Sequence, residues 1–135
     1  MPTATRQALI QRYCEELWNG WNFALVDSLI DPNIVFRGSL GIEVKGWEGF
    51  VSYMRTVRAA FPDFRHLVEE VIEEGDAMAV RLTLEGTHRG PVFGIAPTGK
   101  HVRYAAVALF HFAQDRIARG WVLGDIAGLR SQLEG

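Results

Sequence analysis

An α+β fold is expected: a curved antiparallel β-sheet wrapped on one face by about three N-terminal helices. Apolar residues follow helical spacing up to about residue 61 and a period of two from residue 64 onward. Helices and strands also fail to alternate in the order that a parallel sheet requires. The chain's 135 residues suit one domain with a sizeable core, so residues 1–135 are taken as a single domain.

The elements follow in order. Residues 9–18 are helical, because Ile10, Tyr13, Cys14, Leu17, Trp18 and Trp21 recur at three- and four-residue steps. Thr3 or Thr5 can cap the start, and Asn19-Gly20 is a usual stop. A second, short helix places Phe23, Val26, Leu29 and Ile30 on one side and ends at Asp31-Pro32. Residues 34–37 form a brief β segment, and residues 42–44 have strand character within a glycine-bounded loop. The third helix spans about 47–60, with Trp47, Phe50, Val51, Met54, Val57 and Phe61 on its buried stripe and Pro62 closing it. Long strands then cover 64–73, 77–89, 100–113 and 116–125, separated by Gly75-Asp76, the segment 90–99 and Gln114-Asp115. A short helix over 126–133 ends the chain. A bent sheet closed by helices makes a cone with one open mouth.

Composition narrows the function. The net charge is −2 with mixed signs, which argues against a nucleic-acid partner. No run approaches the roughly 18 apolar residues that cross a bilayer, and the first residues lack a signal-like apolar segment. A single cysteine, Cys14, fits a reducing compartment, so a cytoplasmic location is expected. Eight Phe, four Trp and three Tyr suggest an aromatic-lined interior. The four histidines lack the spacing of a metal site, and no nucleotide-loop or nucleophile-elbow motif occurs.

Against that background Asp125 stands out. In the last strand Ile117, Arg119, Trp121, Leu123 and Asp125 share one alternating face, apolar from Trp121 until the acid. A carboxylate aimed into apolar surroundings suits a general acid or base; its alternative role is to cap the C-terminal helix. His88 continues the apolar face of Met78, Val80, Leu82 and Leu84, where it can polarise a carbonyl or hold a proton. Arg37, among apolar β residues, can bind a carboxylate or enolate. Tyr13 and Trp18 lie on the first helix's buried stripe, and with Tyr104 and Trp121 they are expected to shape a pocket.

The blocks Ala60-Phe61-Pro62-Asp63-Phe64, Glu74-Gly75-Asp76, Gly86-Thr87-His88-Arg89-Gly90, Gly94 to Lys100, and Arg116-Ile117 with Trp121 and Asp125 resemble the SnoaL-like polyketide cyclases. Those proteins share the nuclear-transport-factor-2-like cone. The resemblance implies a cofactor-independent enzyme that closes a carbocycle by intramolecular aldol condensation inside a hydrophobic pocket. It assigns the general acid/base to Asp125 and borders the pocket with His88. It also implies a small hydrophobic, polyketide-like ketone or ester substrate and a homodimer formed through the sheet. Isomerases, dehydratases and epoxide hydrolases use the same cone, so the fold alone does not select the reaction. Where many SnoaL-like cyclases carry a His-Asp type sequence, this chain has Phe36-Arg37-Gly38-Ser39. The alternatives are a non-catalytic module for ligand binding or dimerisation, and a polyketide hydroxylase-like protein.

Overall fold

Thr5 starts the first helix: its hydroxyl accepts a hydrogen bond from the Ala8 N–H at 3.0 Å, satisfying one of the free donors of a helix start. Thr3 lies outside the residues described by this computed structural model, which are 5–135. Helix α1 (Arg6–Arg12) runs straight into a π-helical turn, Tyr13–Trp18. There the Asn19 N–H reaches back five residues to the Cys14 carbonyl at 2.9 Å. Regular α spacing was the expectation through Trp18. The wider turn instead lets Tyr13, Cys14, Leu17 and Trp18 all be buried together, and π turns of this kind concentrate at functional sites.

After a 3-10 turn, Phe23–Leu25, helix α2 (Val26–Leu29) is shorter than expected, because Ile30 already belongs to strand β1 (Ile30–Arg37). The strand tolerates Pro32 because its register against β6 shifts between Ile30 and Val35, where a missing N–H breaks no ladder. Strand β2 (Glu43–Lys45) leads into α3 (Gly46–Ala60), which buries Phe50, Tyr53, Met54, Val57 and Ala60. The remaining elements are β3 (Arg65–Glu74), β4 (Ala77–Thr87), β5 (His101–Ala113), β6 (Arg116–Gly124) and α4 (Ile126–Glu134).

The strands form one curved, unclosed sheet in the order β2-β1-β6-β5-β4-β3. Every neighbouring pair is antiparallel except β1 with β6, which is parallel, so the sheet is mixed rather than wholly antiparallel. Its concave face carries Met78, Val80, Leu82 and Leu84 from β4, and Tyr104, Ala106, Ala108 and Phe110 from β5. These pack against α3 and the π turn. No helix among the described residues is long and apolar enough to cross a membrane.

Strand β6 corrects the expected alternation. Phe112 pairs with Ile117 but His111 pairs with Arg119, so Ala118 is an extra residue in the ladder. One extra residue inverts every side chain beyond it. Ile117 therefore points inward, as does Val122, whereas Trp121 and Leu123 are 43% and 53% exposed on the outer face.

Candidate functional site

Strand β3 is an edge strand, and its register with β4 places His66 opposite Leu84 and Val68 opposite Leu82, on the concave side. Facing them across the mouth of the cone are Ile10, Gln11 and Cys14 from α1 and the π turn. The groove between has a volume of about 460 Å³, within the usual range for small-molecule sites.

Next to His66 lies a second, smaller space lined by Trp18, Ser39, Tyr53, Phe64 and His66 among others. Its volume of about 10 Å³ matches a single water-sized group. Trp18 Nε1 and His66 Nδ1 are both buried without a hydrogen bond of normal geometry, although the Trp18 side chain lies close enough to the Tyr13 phenol to oppose part of the effect of burial on it. Their rings are 5.0 Å apart between centroids. Orphaned buried polar atoms are costly, and the two residues that carry these both line this small space. Hydroxyl groups complete the surroundings: Ser39 Oγ lies 3.0 Å from the Tyr104 hydroxyl, and the Leu40 N–H donates to the Tyr53 hydroxyl at 3.3 Å. Gly38 makes room for Tyr53, since a Cβ there would lie 2.0 Å from the phenol ring.

Burial decides the protonation states. It raises the Tyr13, Tyr53 and Tyr104 phenols above their ordinary range, so all three stay protonated donors. It pushes the Cys14 thiol up to about 12, which leaves that sulfur inert. It lowers His66 to about 3, so the ring is neutral at physiological pH. A histidine depressed in the native state is protonated first in the unfolded chain. Stability is therefore expected to fall as pH drops from about 6.5 toward 3, at no more than about 1.4 kcal/mol per pH unit. Urea denaturation at pH 7.5 and 5.0 measures the loss, and His66→Phe should flatten it.

The residues singled out in the sequence divide between the two faces. Tyr13, Trp18, Tyr104 and His88 are inside. His88 nevertheless borders neither the groove nor the smaller space; its Nδ1 accepts the Thr98 N–H at 3.1 Å and its ring packs on Phe61. Arg37 and Trp121 are register partners on the outer face, where the guanidinium donates to the Val122 carbonyl and sits 5.4 Å from the indole centroid. Asp125 is exposed, and its Oδ1 accepts the Gly128 N–H at 2.9 Å as the cap of α4. Asp125, His88 and Arg37 therefore do not converge. The extra residue in β6 removes the inward orientation that the proton-transfer reading of Asp125 needed. Asp125→Ala is expected to cost about 1 kcal/mol in thermal unfolding while ligand binding in the groove stays at the wild-type level.

Sequence reasoning passed over His66, Ser39 and Tyr53. The available signal was the period of two shared by His66 and Val68 on β3, opposite the inward residues of β4.

The family model of SnoaL-like polyketide cyclases matches residues 8–133. The chain is 30% identical over 131 residues to the aklanonic acid methyl ester cyclase AcmA of Streptomyces galilaeus, covering 96% of this chain and 91% of that protein. Among solved structures, AclR of the same organism is 29% identical with a TM-score of 0.80, covering 96% of this chain and 84% of AclR. A SnoaL-like polyketide cyclase of Agrobacterium tumefaciens shares the fold, with a TM-score of 0.82 at 22% identity over 97% of this chain and 99% of that one.

Proposed function

The chain belongs to the SnoaL-like polyketide cyclase family, and from that premise we propose that it closes a ring by proton transfer where the groove meets the smaller space beside His66. The observation that carries the reading is the pair of unpartnered buried atoms, Trp18 Nε1 and His66 Nδ1, at a space the size of one oxygen. A ketone or ester substrate lies in the groove and sets one carbonyl oxygen against the Trp18 Nε1–H. In the tautomer that carries its proton on Nε2, His66 leaves the buried Nδ1 as the basic nitrogen.

The chemistry is then an aldol closure. His66 Nδ1 takes the proton from the carbon beside the bound carbonyl, and the resulting enolate oxygen is held by the Trp18 N–H. The enolate carbon attacks a second carbonyl carbon of the same molecule. A carbon–carbon bond forms, the second oxygen becomes an alkoxide, and the imidazolium returns the proton to it. Burial disfavours a free imidazolium, but the enolate beside it compensates the charge, and the same burial ensures that the proton is passed on.

The test is exchange of the α-protons of a β-keto ester polyketide analogue in D2O by NMR, with ring closure followed by mass spectrometry. Exchange above the buffer rate supports the reading, and binding without exchange replaces it with a carrier role. Oxygen-dependent product would instead favour hydroxylation, the activity suggested for AclR.

A homodimer through the outer sheet face belongs to the same proposal. Val107, Leu109, Trp121 and Leu123 are 42–53% exposed on that face, and a contiguous apolar patch on a small protein marks an interface. Leu123→Glu should give a monomer in sedimentation equilibrium; an unchanged mass for the variant would remove the interface.

A further inference from the structure

We propose that Asn19 is the positioning residue of the site, holding the His66 backbone so that the imidazole stays in register with Trp18. The inference rests on the role given to His66 above. Asn19 Nδ2 donates to the His66 carbonyl at 3.0 Å, and the His66 N–H donates to Asn19 Oδ1 at 2.7 Å. One side-chain amide thus satisfies both backbone groups of His66, across 47 residues of sequence. Those groups are free because β3 is an edge strand, with β4 on one side and no strand on the other. The amide takes the place of the missing neighbour and satisfies the edge there.

Its position gives the clamp a second consequence. Asn19 directly follows Trp18 and ends the π turn, its own N–H closing the five-residue bond to Cys14. The clamp therefore ties the segment that carries Trp18 Nε1 to the strand that carries His66 Nδ1. The base and the N–H donor must keep their spacing to within a few tenths of an ångström for one to reach the α-carbon while the other holds the oxygen of the same carbonyl. A helix and an edge strand joined only by apolar packing slide more easily than two segments joined by paired hydrogen bonds.

The experiment compares wild type, Asn19→Ala and Asn19→Asp. Long-range 1H–15N spectra of the His66 ring are recorded through a pH titration, alongside α-proton exchange kinetics. Asn19→Ala is expected to shift the His66 ring resonances, move its titration toward the ordinary histidine range, and lower kcat about tenfold with KM within a factor of about three. Asn19→Asp keeps the acceptor for the His66 N–H and should fall between the two. Ring resonances and titration unchanged in Asn19→Ala would overturn the proposal, whatever the activity. Should Asn19→Ala not fold, an Asn19→Asp ring spectrum identical to wild type overturns it equally. The spectra need no substrate, so a wild type without exchange activity defeats the proposed reaction and leaves the clamp to be judged on the ring alone.

Discussion

His66→Phe should reduce α-proton exchange and ring closure by about 10²–10⁴-fold, the usual contribution of a positioned general base. The substitution keeps an aromatic ring among Trp18, Phe64 and Tyr13, with which His66 packs at centroid distances of 5.0, 5.4 and 6.4 Å. It also removes a buried nitrogen that has no partner. Stability at neutral pH should therefore stay level or rise by about 1 kcal/mol, since leaving a buried polar group unsatisfied costs roughly that much. A drop in activity with an unchanged or higher melting temperature separates loss of chemistry from loss of fold. Turnover at the wild-type rate in a folded His66→Phe protein would exclude proton transfer at this ring.

Gly90→Ala should be the most destabilising small substitution in the loop that follows β4. The Arg89 and Gly90 N–H groups both donate to the Ala60 carbonyl, at 2.8 and 3.2 Å. A Cβ at residue 90 would lie 2.1 Å from the Ala59 carbonyl oxygen and 2.8 Å from its carbon. Backbone at the end of α3 cannot yield as a flexible side chain would, so the helix end and β4 must separate. The expected cost is about 3 kcal/mol, at the upper end for overpacking, which for a domain of this size lowers the melting temperature by about 10 °C. Calorimetry that shows less than about 2 °C of change would mean the junction adjusts freely. Gly90 does not line the groove, so ligand binding there should survive in the folded fraction.

The long periodic elements were legible because burial on one face writes its period directly into the sequence. Strands β4 and β5 alternate without interruption, so Met78 to Leu84 and the inward position of Tyr104 followed from spacing alone. Helix α3 was equally plain, with its stripe running from Phe50 to Val57. The π turn was less so, because the same apolar residues satisfy an α stripe and a slightly wider one. The parallel pairing of β1 with β6 is a choice of neighbour between distant segments, and local patterning does not encode it.

For the site, the decisive quantity was a single residue. Ala118 has nothing in its identity that marks a bulge, yet it places Trp121 outside and leaves Asp125 free to cap α4. His66 went unrecognised for the converse reason: its neighbours Arg65 and Leu67 are ordinary strand residues, and its chemistry comes from Trp18 and Asn19, nearly fifty positions away.

The sequence by itself thus determined the α+β class, the apolar faces of the uninterrupted elements, most element boundaries and the family, because each of these is carried by short-range periodicity or by contiguous motifs. Only the tertiary structure decided which carboxylate faces solvent, where buried nitrogens are left without partners, and which strand forms the rim of the groove. Those depend on one inserted residue in a ladder and on the meeting of segments far apart in the chain, where a shift of a single position exchanges inside for outside.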